Sequence, residues 1–235
     1  SDEHFMDAAA SGTLGGIIGG KVLYIIQEMP DLSSVGMFME AALTGFAILG
    51  AIIGTIIGIV MYAHDNKLRL WPVLDFASLY APLALAIGRW GCVIGGCCFG
   101  QVMSTYEWWS MIYSDPTCLA PLQVPLYPTQ LMLSGGSFLV FIFLRYSRVW
   151  SLHRRYPGIV FCAYLFGESL VRFVVDFWRG DRELTGIRML PGIHYTSWWQ
   201  VWSFHQKVAF WLMCGALALA FYRYYMGRRE KRKGR

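Results

Sequence analysis

Apolar runs of bilayer length recur along almost the whole chain, and they constrain the fold more than any other feature of the sequence. They can be drawn at roughly 8–28, 36–63, 72–95, 129–146, 157–178 and 199–223, each close to or above the ~20 residues that cross a hydrocarbon core as a helix. The expected fold class is all-α, a polytopic helical bundle of about six spans forming a single transmembrane domain over residues 1–235. Composition agrees: 56% of residues are hydrophobic and 15% charged, too apolar for an ordinary soluble domain.

Basic residues sort between alternate loops. Lys67 and Arg69 lie in one, Arg145, Arg148, Arg154 and Arg155 in another, and Arg228, Arg229, Lys231, Arg232, Lys233 and Arg235 in the tail. The positive-inside rule makes these loops and the tail at 224–235 cytoplasmic, so the segments at 101–127 and 179–197 face the opposite, periplasmic side. A juxtamembrane basic cluster is a topology signal that also attracts anionic lipid, which accounts for the net charge of +5 without nucleic acid as a partner. No secretory signal pattern opens the chain and its first residue is Ser1, so a preceding segment is expected to be missing.

Glycines recur three to four apart in GTLGGIIGGK and TGFAILGAIIGTIIG. Such spacing lets two helix backbones approach closely and needs no ligand.

Against this apolar background Glu168, Arg172, Asp176 and Arg179 fall at helical spacing within a single run. Steps of four, four and three place them on one helix face, and charges at that depth face a protein interior or a wet cavity. Ion pairs that join helices, Glu168 with Arg172 and Arg172 with Asp176, are the plain reading. The functional reading rests on arginine, whose planar fork suits phosphate, the group every membrane supplies on its lipids.

A second phosphate candidate is Arg89, set among glycines in GRWGCVIGGCCFG, Gly88–Gly100, where bare backbone N–H groups can add to its fork. A snorkelling interfacial arginine is the alternative. Cys92, Cys97 and Cys98 share this stretch, with Cys118 in the following outer segment. An oxidising periplasm permits a disulfide between Cys118 and one of the adjacent pair, while the spacing CxxxxCC matches no strong zinc template, so no metal is expected. Cys162 and Cys214 lie within spans and read as small core residues.

GRWGCVIGGCCFG resembles the GRxGNFxNxExxG signature of the prolipoprotein diacylglyceryl transferase family, especially its Cys-rich versions in related proteins. In the same order along the chain, GGIIGGKVLYII resembles the family's GxRxGY segment, LYPTQL its HPSQL segment, SLVRFVVDFWRGD its RxxxExxR helix and WWQVWS its closing GQxxS segment. The resemblance implies a first, aromatic-rich span that lies outside the chain given. It further implies an enzyme of the bacterial cytoplasmic membrane, without cofactor, that joins the diacylglyceryl group of phosphatidylglycerol to the lipobox cysteine of a preprolipoprotein.

Carried over residue by residue, the resemblance makes Arg89, Arg172 and Asp176 catalytic and gives lipid binding to Arg89, Gly91, Gly96, Gly100, Gln130, Arg172 and Arg179. Two arginines would hold and neutralise the departing phosphate while a thiolate attacks the glycerol carbon.

The chain also departs from the family's pattern. Leu49, Gly50 and Ala51 stand where the family has HGG, so the histidine sometimes proposed as proton acceptor is gone. Cys92 replaces the signature Asn, Cys97 its acidic residue, and LYPTQLML lacks the acidic residue after HPSQL. His194 is the candidate replacement base, with Asp176 or water as alternatives. A different class of function is a non-catalytic homologue that keeps the two arginines and serves as a lipid-binding subunit of a membrane assembly. Thiol exchange by Cys92, Cys97, Cys98 and Cys118 is a third, disfavoured by the lack of a CxxC.

Overall fold

The computed structural model describes residues 2–28, 48–180 and 202–233. These are mostly helical, and they fall into two compact units, Ser1–Ala77 and Ser78–Arg235.

In the first unit α1 (Asp2–Glu28) packs against α2 (Ile48–Asp65). The glycine spacing decides how. A Cβ built on Gly54 would run into the carbonyl oxygen of Gly15, and one on Gly19 into that of Gly50, so the two backbones touch where side chains would otherwise hold them apart. In lipid, where neighbouring tails are as apolar as leucine, such close backbone approach is a main source of helix attraction. Near one end of the pair Tyr62 donates to Asp7 Oδ2 at 3.1 Å. Part of the run expected at 36–63, residues 36–47, lies outside the described residues.

The second unit holds most of α3 (Leu70–Gly95), then α4 (Thr129–Tyr146), α5 (Arg148–Leu152), α6 (Ile159–Val175) and α7 (Phe204–Lys233). Helix α3 carries Pro82 in its interior, which removes one backbone hydrogen bond from the ladder. Short α5 begins at Ser147, whose hydroxyl accepts the Val149 N–H at 3.2 Å. Helix α6 starts directly after Pro157 and Gly158, the latter at φ 99°, a conformation open to glycine. Among the described residues four helices are long and apolar enough to cross a membrane: Met6–Ile26, Leu70–Gly95, Thr129–Tyr146 and Phe204–Arg229. Of the other two expected spans, α6 is 17 residues long, and α2 covers 18 residues of the described part of its run.

Leu79, Val140, Leu144 and Val160 form the core where α3, α4 and α6 meet, with Tyr164 and Val171 against it. Polar bonds cross the same interfaces. Ser134 donates to the Ala86 carbonyl at 2.8 Å and Ser137 to Glu168 Oε2 at 3.0 Å, each worth about 0.6 kcal/mol on average in a membrane bundle.

Between α3 and α4 the chain folds into a small packed lobe. Tyr113, Ala120 and Leu126 are its buried centre, with Phe99, Met111, Cys118 and Val124 around them. Met111 and Leu126 exchange both backbone hydrogen bonds at 2.9 Å, the smallest unit of antiparallel pairing. Asp115 fixes one turn by accepting from the N–H and hydroxyl of Thr117 at 2.9 and 2.8 Å, and these bonds hold its carboxyl below the usual range.

Candidate functional site

The charged stripe begins on α6 but does not continue as one helix. Spacing predicted a helical face as far as Arg179, whereas α6 ends at Val175 and a single 3-10 turn, Asp176–Trp178, leads to an extended Arg179. The tightened turn still brings Asp176 between two arginines. Arg172 Nη2 lies 3.8 Å and Arg179 Nε 4.0 Å from Asp176 Oδ1. The carboxylate is fully buried, and Ser203 donates its hydroxyl to Oδ2.

Ser203 does more than this. It precedes α7, and its oxygen accepts the Gln206 N–H at 3.1 Å while Gln206 Oε1 accepts the Ser203 N–H at 3.0 Å. This is a capping box, in which two unsatisfied helix-start donors are met reciprocally. Gln206 Nε2 then donates to the Phe173 carbonyl at 3.2 Å and ties the start of α7 to α6. Neither Ser203, quoted only as the end of WWQVWS, nor Gln206 is among the candidate site residues of the sequence, although SFHQ ahead of an apolar run is a recognisable S-x-x-Q signal.

Glu168 does not pair with Arg172 as the i,i+4 spacing suggested. It takes the Ser137 hydroxyl from α4, and its other oxygen, Oε1, is buried with no partner. A cavity of about 390 Å³ lies here, lined by Arg89 from α3, Tyr164, Glu168 and Arg172 from α6, and His205 from α7. Arg89 is near enough to act electrostatically on both Glu168 and Arg172. On the other side of α6 a second cavity of about 590 Å³ is walled by apolar residues such as Leu139, Phe166, Leu170 and Leu217. Helix α6 thus separates a charged chamber from a hydrocarbon-like one.

The glycine and cysteine stretch folds back at the end of α3. Gly96 (φ 62°) and Cys98 (φ 56°) are both left-handed, a strained choice for cysteine. Helix α4 holds the turn: Thr129 donates to the Cys98 carbonyl at 2.8 Å and Gln130 to that of Cys97 at 2.9 Å. Gln130 is itself fully buried, and its amide nitrogen also reaches the Tyr113 hydroxyl at 3.2 Å. The Sγ atoms of Cys92, Cys97 and Cys98 lie within 4.8 Å of one another. Arg89 Nη1 stands 4.0 Å from both Cys92 Sγ and Cys98 Sγ. Burial, then the neighbouring thiols, push Cys97 up to about 12. Burial likewise raises the Tyr113 phenol.

Gly100 sits where three chain segments cross. A Cβ there would meet the Tyr127 carbonyl, Gly100 pairs with Arg179, and Gly180 donates to the Phe99 carbonyl at 2.9 Å. Its missing side chain lets Tyr127 lie against the cysteine turn, and Gly180, where a Cβ would meet the Gly100 carbonyl, does the same for the segment that carries Arg179. Gly91 faces open space and Gly96 is covered by Cys118. All six cysteines are unbridged, Cys162 being buried as expected and Cys214 half-buried. His194 lies outside the described residues.

The model of the family described as prolipoprotein diacylglyceryl transferase matches residues 1–222. The chain belongs to this family. The phosphatidylglycerol–prolipoprotein diacylglyceryl transferase of Clostridium tetani is 34% identical over 184 residues, 77% of this chain and 70% of the relative. One of Clostridium perfringens is 35% identical over 185 residues, 77% of this chain and 69% of the relative. That of Erythrobacter litoralis is 28% identical over 188 residues, 79% and 65% of the two chains. As a member of the prolipoprotein diacylglyceryl transferase family with four helices of membrane-crossing length and character among its described residues, the chain is a membrane protein. The cavity gathers two of the residues expected to act, Arg89 and Arg172, while Asp176 stands behind Arg172 and Arg179.

Proposed function

We propose that this chain transfers the diacylglyceryl group of phosphatidylglycerol to the thiol of a lipobox cysteine in a preprolipoprotein. In this reaction the acceptor sulfur forms a bond to the terminal glycerol carbon of the diacylglycerol unit. The carbon–oxygen bond to phosphate breaks, and glycerol phosphate leaves with the electron pair. The observation that carries the reading is the shared cavity of Arg89 and Arg172. Two guanidinium forks there neutralise charge that builds on the departing phosphate oxygen, stabilisation worth most in a water-poor site. Asp176, with both oxygens engaged, orients Arg172 and Arg179 and is not a base.

The family's histidine position is Leu49 here, so the acceptor proton needs another destination. Glu168 supplies one: its Oε1 is buried and unpartnered, and its carboxylate faces the cavity shared with both arginines. The enzyme works in the bacterial cytoplasmic membrane with its basic tail inside, and its lipid is drawn from the anionic pool.

The second reading, a lipid-binding subunit of a larger membrane assembly, is favoured by one observation, the leucine in place of that histidine. Incubating purified protein with phosphatidylglycerol and a lipobox peptide separates the two. A thioether-linked diacylglyceryl peptide supports transfer. Retained anionic lipid without that product supports the subunit.

A further inference from the structure

The cysteine turn is built with more care than a structural corner requires. Three thiols from positions 92, 97 and 98 converge within 4.8 Å. Cys98 is held at a left-handed φ of 56°. The carbonyls of both Cys97 and Cys98 are clamped from α4. Non-glycine residues kept in such a conformation by surrounding bonds point to a function for what they position.

We propose that Cys92, Cys97 and Cys98 form a three-thiolate site for zinc, with an open fourth position and with Arg89 as the balancing charge. Sulfurs bound to one tetrahedral zinc at about 2.3 Å stand about 3.8 Å apart. The three Sγ atoms therefore need to close by roughly 1 Å, within reach of side-chain rotation. Sulfur ligands select zinc over the hard cations magnesium and calcium. Three thiolates around a divalent ion leave a net charge of −1, and the Arg89 guanidinium, 4.0 Å from two of the sulfurs, supplies the opposite charge. Cys118 lies against Gly96, outside the triplet, so the fourth position is left to water or another small ligand.

The sequence hid this site. Zinc templates are read from short spacings between cysteine pairs, and Cys92 lies on helix α3 while Cys97 and Cys98 lie in the turn beyond its end. Only the fold-back at Gly96 and Cys98 brings them together. A metal here would pin the end of α3 to the turn that leads to Gly100, and would hold Arg89 by its thiolates.

The test uses the full chain purified in detergent under reducing conditions and loaded with cobalt(II) or zinc. Cobalt should give sulfur-to-metal charge-transfer absorption at about one ion per chain, displaced by zinc. Zinc should protect Cys92, Cys97 and Cys98 from alkylation, read by peptide mass spectrometry, and leave Cys118 and Cys214 reactive. Cys97→Ser should weaken zinc binding at least about tenfold and Arg89→Gln by about tenfold, while Cys118→Ser and Cys214→Ser should retain it. The alkylation pattern is read on the unmodified chain, so a poorly folding variant does not decide the matter. No cobalt absorption in the reduced protein, equal protection of all the half-buried cysteines, or full binding by Cys97→Ser would each overturn the proposal. So would a disulfide within the triplet in protein that retains no metal.

Discussion

Arg172 Nη2 and Asp176 Oδ1 lie 3.8 Å apart, one helical turn from each other, with the carboxylate buried and the guanidinium still open to a cavity. The carboxylate fixes one edge of the fork and leaves another for an incoming anion. Arg172→Lys keeps the charge and loses the planar fork, and should lower turnover about a hundredfold, close to 3 kcal/mol of transition-state stabilisation. Arg89→Lys should behave alike. Thioether formation on a lipobox peptide, followed by mass spectrometry, measures both, and an Arg172→Lys variant with full turnover and full lipid content would sink the two-arginine reading.

Glu168→Gln keeps the Ser137 bond and removes the cavity's carboxylate. Turnover should fall roughly a hundredfold, as for loss of a general base. Copurifying phosphatidylglycerol should hold steady or rise, because a negative charge no longer faces the phosphate. Parallel loss of lipid and turnover would show instead that Glu168 shapes the cavity.

Ser203→Ala removes a helix cap worth about 1 kcal/mol and leaves a buried carboxylate oxygen short of a donor, a further ~1–3 kcal/mol. Thermal unfolding in detergent, followed by helical circular dichroism, should show a clearly lower midpoint. Ser203→Thr, which keeps the hydroxyl, should restore most of it.

Gly54→Leu forces a side chain into the Gly15 carbonyl and should destabilise the first unit by on the order of 1–3 kcal/mol, with helix separation read by limited proteolysis. Gly135→Ala, which meets nothing within 4 Å, should be neutral or stabilising by up to about 1 kcal/mol. Equal effects at the two positions would contradict backbone packing of α1 on α2.

Orientation is checked by single cysteines introduced at Ser104 and Arg154. A membrane-impermeant thiol reagent applied to intact cells should label position 104 and spare position 154. The reverse pattern inverts the topology.

Much of the architecture was legible because bilayers impose simple rules. Apolar length marked the helices, and glycines three to four apart marked the α1–α2 contact. The arginine stripe was legible to Arg172 and Asp176, where helical spacing holds, and less so at Arg179, because a 3-10 turn intervenes. Glu168 misled, since spacing along one helix says nothing of a serine on the next. The lobe at 101–127 showed no period, and its centre of Tyr113, Ala120 and Leu126 is assembled by turns. His205 lines the cavity because α7 begins beside α6, a contact that no spacing along the chain marks.

Ser203 joins a carboxylate to a helix start through one oxygen, and this makes the site's electrostatics and the fraying of α7 a single equilibrium. An anion that draws Arg172 off Asp176 leaves the carboxylate leaning harder on the Ser203 hydroxyl, which tightens the first turn of α7. Occupancy of the chamber is then written into amide hydrogen exchange at Gln206, a reporter that needs no labelled lipid and no turnover.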